Sequence, residues 1–523
     1  MRRFFLLVSS SFAAFLLASC AMKEHTVQWL VGLPKNQTPS LAEVMTAIQH
    51  DAFSVENYNA ALNKTLVNLL LTRKPADLHG VIESDGVKIW IDGGNDELKR
   101  LNPAHFDSIE IIRKGEGSDQ VLQTVNRVGL GIPVVMMQKY DAQKASGKKL
   151  FPLNGRHLPA TAVIDRAANG SYALRFYHTR NVQNVRFQGR SRQLAYDLST
   201  PLHRSMGDRF LNNIAFHGLI NSDRYLESTG IYLPDVYDPN KIPVVFVHGL
   251  KSDPHIWQNA MNEVLRDPLM RVKYQCWYFL YPTGLPVYAS AEKLRRMLYI
   301  ARNYYDPLHS NPNMNRMVLV GHSMGGLLSR MQTIDSGGEI YGSFFVKPLE
   351  QLHLKQPTKR LIQESMVFDR VPFVKRAVFV ASPHQGSSMA EIPIIRAVGM
   401  LVNPTSNLDS VTMEIRLNAY NDLNPELWKF KNLGCRSVQT LSPEHPLLKA
   451  LKSRPATVPY HSIIATKQRN ENLWQTSDGI VAYWSSHVYN AQSERVVNGS
   501  HSCTRLPEVS EEILRILRLH ARE

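Results

Sequence analysis

Ser323 stands at the centre of Met317-Val318-Leu319-Val320-Gly321-His322-Ser323-Met324-Gly325-Gly326. Four apolar residues lead into a Gly-x-Ser-x-Gly motif, and a helical pattern of Leu327, Met331 and Ile334 follows at once. A serine on a sharp strand-to-helix turn lifts its hydroxyl above a sheet, and small residues two positions to either side leave room for that turn. The chemistry this permits is nucleophilic attack. A serine hydroxyl is weak at neutral pH, so a base must take its proton and an acid must orient the base. Asp478 lies 155 residues after Ser323, and His501 a further 23 residues on. Each follows a short apolar run, Ile463-Ile464 for Asp478 and Val496-Val497 for His501.

Other residues compete for these parts. His487 is the rival base, but it comes too soon after Asp478 for a strand to intervene. Asp369 precedes a strand instead of following one, and Asp335 lies in the first helical stretch after Ser323. His248, Gly249, Gly321, His322 and Gly325 read as residues that shape the motif loops, and His384 and Gln385 as rim residues. Cys503 reads as a small buried hydrophobe.

The elements that must position these groups are short and wholly apolar: Val244–Val247, Trp277–Leu280, Met317–Val320, Ala377–Val380 and Ser462–Ala465. Strands apolar on both faces belong to a parallel sheet covered by helices on each side. Helical patterns separate them, and the spacing predicts a doubly wound, mostly parallel α/β domain over 226–523. A helix from about Pro507 closes it. Between Gly386 and Pro459 an apolar stretch, Ile392 to Val402, suggests an insertion over 387–458, either a lid or packing over the sheet. Residues 20–225 read as an accessory domain, two helices over 41–71 and then a β-rich module. In it Thr161–Ile164 and Tyr172–Phe176 flank Asn169-Gly170, a hairpin signal.

The chain has 523 residues, a formal charge of +15 and 44% hydrophobic content, as expected of a globular protein of two domains. Its basic residues are scattered, without the tracts and interleaved aromatics of a nucleic-acid surface. No metal-ligand spacing occurs, so neither a metal nor another cofactor is expected. Arg2-Arg3, an apolar run to Leu17 and Leu17-Ala18-Ser19-Cys20 form a cleavable leader over 1–19. Cys276, Cys435 and Cys503 then remain, enough for one disulfide of undefined pairing.

Leu17-Ala18-Ser19-Cys20 resembles the lipobox of bacterial lipoproteins, which implies a diacylglycerol anchor on Cys20. Ala21, where that family's inner-membrane signal would be aspartate, points to the outer membrane of the envelope. Val247-His248-Gly249-Leu250, Gly-His-Ser-Met-Gly-Gly, Ala381–Ser387 and Ser477–Val481 together resemble the α/β-hydrolase superfamily. Its bacterial lipase and esterase branch, with the GPI inositol-deacylase-like lipases, is the nearest in motif, over roughly 240–520. The resemblance implies Ser323 as nucleophile, His501 as base and Asp478 as orienting acid, with the N–H groups of Met324 and Leu250 as oxyanion hole. It implies an ester or lipid substrate. An acyltransferase or phospholipase on the same residues, or a non-catalytic envelope lipoprotein, are the alternatives.

Overall fold

The structure is a computed structural model that describes residues 39–49, 54–84, 86–94, 96–112, 123–140, 149–166, 171–206, 222–387, 406–430, 437–467 and 472–523. The chain divides into two compact units, residues up to 139 with 155–203, and 140–154 with 204–523. The leader, Cys20, Cys435 and the apolar stretch from Ile392 to Val402 lie outside the described residues. Among the described residues no helix is long and apolar enough to cross a membrane.

The first unit holds helices α1 (Leu41–Gln49) and α2 (Val55–Thr72) and strands β1 (Val81–Ser84), β2 (Val87–Ile91), β3 (Arg100–Leu101), β4 (Ser108–Ile111), β5 (Asn126–Arg127) and β6 (Ile132–Gln138). It continues with β7 (Arg156–Arg166), β8 (Tyr172–His178), β9 (Asn184–Phe187), β10 (Arg190–Gln193) and β11 (Tyr196–Asp197), and its last residues, to His203, lie in α3 (Ser199–Met206). The main sheet runs β1-β2-β8-β7-β6-β4, with β3 added to β8. β7 and β8 pair antiparallel, Ala162 opposite Phe176, as the Asn169-Gly170 signal predicts; the turn itself falls at 167–170, outside the described residues. Helix α2 is tied to this sheet by polar as well as apolar contacts. The buried Tyr58 hydroxyl donates to the Ile164 carbonyl and accepts from the Ile164 N–H, both at 2.8 Å.

The second unit begins with β12 (Gly230–Tyr232) and β13 (Ile242–Val247), followed by α4 (Gln258–Arg266), α5 (Pro268–Lys273), β14 (Tyr274–Leu280) and α6 (Val287–Tyr305). Then come β15 (Met317–His322), α7 (Met324–Arg330), α8 (Gly337–Gly342), α9 (Gln356–Met366), β16 (Val374–Val380), α10 (Ser406–Asn418) and α11 (Pro446–Lys452). β17 (Tyr460–Thr466), α12 (Tyr483–Ser486), β18 (Ser493–Asn498) and α13 (Pro507–His520) complete it. The sheet order is β12-β14-β13-β15-β16-β17-β18, parallel throughout except for β12. β13 and β15 are buried at every position, as strands covered on both faces must be.

This order has a functional consequence. From β13 the chain steps outward to β14, then returns to lay β15 on the other side of β13. Connections leaving the carboxyl ends of β13 and β15 therefore diverge, and such a switch point opens a crevice above the sheet. The described part of the 387–458 insertion packs onto the core: Ile415, Leu423, Leu427, Leu441 and Leu447 are buried in the same apolar cluster as Leu319 and Leu327.

Candidate active site

Ser323 sits between β15 and α7 with φ 53° and ψ −124°. That positive φ is costly for a residue with a Cβ and persists only where the surroundings impose it. They do so by close approach: a Cβ on Gly321 would strike the Gly325 backbone, and one on Gly249 would lie 2.8 Å from the Ser323 Cβ. Lys251 after β13 and Ala381 after β16 also have positive φ, 53° and 47°. Backbone strain in these three thus lies at the carboxyl ends of three neighbouring strands, on the edge where the crevice opens.

The His501 ring lies between the two other predicted residues. Its Nε2 is 2.9 Å from the Ser323 Oγ, and its Nδ1 is 2.7 Å from the Asp478 Oδ2. Asp478 is 1% exposed, and its Oδ1 accepts from the N–H groups of Ile480 and Val481, each at 2.7 Å. Both carboxylate oxygens are therefore committed. Facing a carboxylate, Nδ1 carries the ring proton, which leaves the Nε2 lone pair to accept from the serine hydroxyl.

The neighbouring histidines are placed differently from one another. His322 donates from Nε2 to the His501 carbonyl at 2.8 Å, tying the loop that carries His501 to the residue before Ser323. Burial and the neighbouring His501 hold its imidazole down at about 3, so it is neutral. His248 is wholly buried and stacks on Tyr281 with ring centroids 4.5 Å apart. Burial lowers it to about 4. His487 is turned to Glu494, its Nδ1 2.6 Å from the carboxylate. Asp335 accepts from the Arg370 N–H. His384 is read from the sequence as a rim residue, but it is buried, with its ring against Phe379 and Arg330. Gln385 reaches the Trp484 carbonyl at 2.8 Å. Cys503 is buried and pushed up to about 12, which keeps its thiol inert, and it does not pair with Cys276.

Met324 opens α7, and Leu250 follows β13 across the crevice. Among the described residues neither of their N–H groups donates a backbone hydrogen bond. The loop bearing Leu250 is held by residues that sequence reasoning missed. Tyr281 donates its hydroxyl to the His248 carbonyl at 2.8 Å, and the Thr283 Oγ1 accepts from the Lys251 N–H at 3.2 Å. Both side chains are fully buried just past the end of β14. Gly326 was also missed: a Cβ there would lie 2.6 Å from that of Ser382. Among the described residues no cluster of side chains could hold a metal ion.

No family model and no curated protein matches the chain. Among solved structures it is similar to a lipase from Bacillus licheniformis, with 16% identity, TM-score 0.31, and coverage of 54% of this chain and 94% of that one. It is similar to Staphylococcus hyicus lipase, with 14% identity, TM-score 0.34 and coverage of 55% and 98%. For EstA from Clostridium botulinum the identity is 12%, the TM-score 0.31 and the coverage 60% and 98%. These are distant structural similarities to bacterial lipases and esterases of the α/β-hydrolase fold, confined to about half of the chain.

Proposed function

We propose that this protein is a serine hydrolase that cleaves carboxylic esters through an acyl-enzyme. The observation that carries the reading is the single His501 ring within hydrogen-bond distance of both Ser323 Oγ and Asp478 Oδ2, at 2.9 and 2.7 Å. In the first step Oγ bonds to the acyl carbon and its proton passes to Nε2. The imidazolium so formed is stabilised by Asp478, whose charge is fixed in place by two backbone N–H groups. The N–H groups of Met324 and Leu250 receive the oxyanion; loss of one such donor typically costs about 3 kcal/mol of transition-state stabilisation. The intermediate then expels the alcohol, which takes the proton from Nε2. Water, deprotonated by the same nitrogen, releases the acid and restores Ser323.

Cys20 is proposed as the lipid anchor that holds the enzyme at the envelope membrane, close to lipid or other ester substrates. Mass spectrometry of the mature amino-terminal peptide tests that part. The hydrolase reading is tested by turnover of short p-nitrophenyl esters by Ser323→Ala. Turnover falls by about 10⁶-fold while circular dichroism is unchanged; undiminished turnover ends the assignment.

A further inference from the structure

His322, the last residue of β15, carries its ring to a place where three loops meet. The side chain is buried. Its Nε2 lies 2.8 Å from the carbonyl oxygen of His501. A carbonyl only accepts, so the ring proton sits on Nε2 and Nδ1 is left bare. That Nδ1 has neither a partner nor contact with solvent. It faces the loop after β13: a Cβ on Gly249 would stand 3.2 Å from it. Trp257, further along the same segment, packs nearly perpendicular to the ring with centroids 6.4 Å apart. The His501 ring lies 4.9 Å away on a tilt. The whole polar capacity of His322 is thus spent on one bond, to the backbone of the base.

Which carbonyl it holds decides what the bond does. The N–H of His501 donates to the Asp478 carbonyl at 3.2 Å, and the C=O of His501 accepts from His322. The backbone of the base is therefore clamped between the acid and the neighbour of the nucleophile. Its side chain spans the same two places, Nδ1 to Asp478 and Nε2 to Ser323. Catalytic geometry holds to within about 0.5 Å only where supporting hydrogen bonds lock the groups that carry it. A neutral ring suits the task, since a cation there would oppose the imidazolium that forms on His501.

We propose that His322 is a positioning residue: its Nε2–H fixes the backbone of His501 and, through it, the distance from the imidazole to the Ser323 hydroxyl. This rests on the ester-hydrolase reading above. His322 moves no proton itself; it acts through His501.

The test compares the parent with His322→Phe, His322→Leu, His322→Gln and Ser323→Ala in steady-state hydrolysis of p-nitrophenyl butyrate. Rates are taken per folded molecule, the folded fraction coming from unfolding curves. Phenylalanine keeps a ring and loses the donor, and leucine does so with a smaller side chain should the phenyl group overfill the site. Glutamine places an N–H the same number of bonds from its Cβ as the Nε2 of histidine. Loss of the donor lowers kcat by about 100-fold with KM nearly unchanged, the scale of a misplaced catalytic group. His322→Gln regains most of that loss. A residue that served stability alone would lower Tm and leave kcat per folded molecule where it was. A folded donor-less variant with the parent's kcat, or equal losses in His322→Gln and His322→Phe, overturns the positioning role while the hydrolase reading stands. A parent no faster than Ser323→Ala sinks the hydrolase reading, and the positioning role with it.

Discussion

Replacing Asp478 by asparagine preserves the shape of the side chain and removes its charge and one acceptor. The structure dictates which way the amide must turn. The Oδ1 position faces two N–H donors, those of Ile480 and Val481 at 2.7 Å, so the new NH₂ cannot occupy it. The NH₂ must take the Oδ2 position, 2.7 Å from the His501 Nδ1. Nδ1 then becomes an acceptor, and the ring proton moves to Nε2, where it points at Ser323 Oγ and blocks proton abstraction. The charge that would stabilise the imidazolium is lost as well. In a Ser-His-Asp hydrolase this combination lowers kcat by about 10⁴-fold, or about 5 kcal/mol of activation free energy. The assay is steady-state hydrolysis of p-nitrophenyl butyrate at neutral pH, with circular dichroism to verify folding. A folded Asp478→Asn protein that loses less than about tenfold in kcat would refute the reasoning.

Further outcomes follow from neighbouring residues. Gly249→Ala places a Cβ 2.8 Å from that of Ser323, and the forced shift lowers kcat by about 100-fold; an unchanged kcat contradicts the packing argument. Tyr281→Phe leaves the buried His248 carbonyl without its donor, which costs about 1–3 kcal/mol. The loop bearing Leu250 loosens, so Tm and kcat both fall while KM hardly changes, as unfolding curves and kinetics will show. His248 and His520 are lowered to about 4, and His322 and His461 to about 3, each chiefly by burial. Below the ordinary histidine value of 6.5 the unfolded chain therefore binds more protons than the folded one. Their contribution to stability is complete above that pH and is lost as pH falls towards 4, so Tm measured at pH 5 lies below that at pH 7.5; equal values contradict the burial of these rings.

The parallel strands β13, β14, β15 and β17 were legible because each is buried at every position and so carries an unbroken apolar run. The serine motif was legible because its glycines answer a local steric demand, and Asp478 and His501 because chain order and strand ends narrow the choice. Strand β12 was not. Its three residues are too few to show a period, and only pairing with β14 makes them a strand. Tyr281 and Thr283 act through contacts 33 and 32 residues away in sequence, which no local pattern records. Gly326 could have been found, since a second glycine beside Gly325 in a helix start signals a close neighbour, here Ser382. The rim reading of His384 failed because its ring turns inward beneath its own loop, a direction set by Phe379 and Arg330.

The proposed activation of Ser323 is tested most directly by a fluorophosphonate, which bonds covalently to a serine whose proton a neighbouring base removes. Intact-mass and peptide analysis should find one adduct, on Ser323, absent from Ser323→Ala and greatly slowed in His501→Ala. A folded protein that stays unlabelled, or that reacts at another residue, contradicts the account.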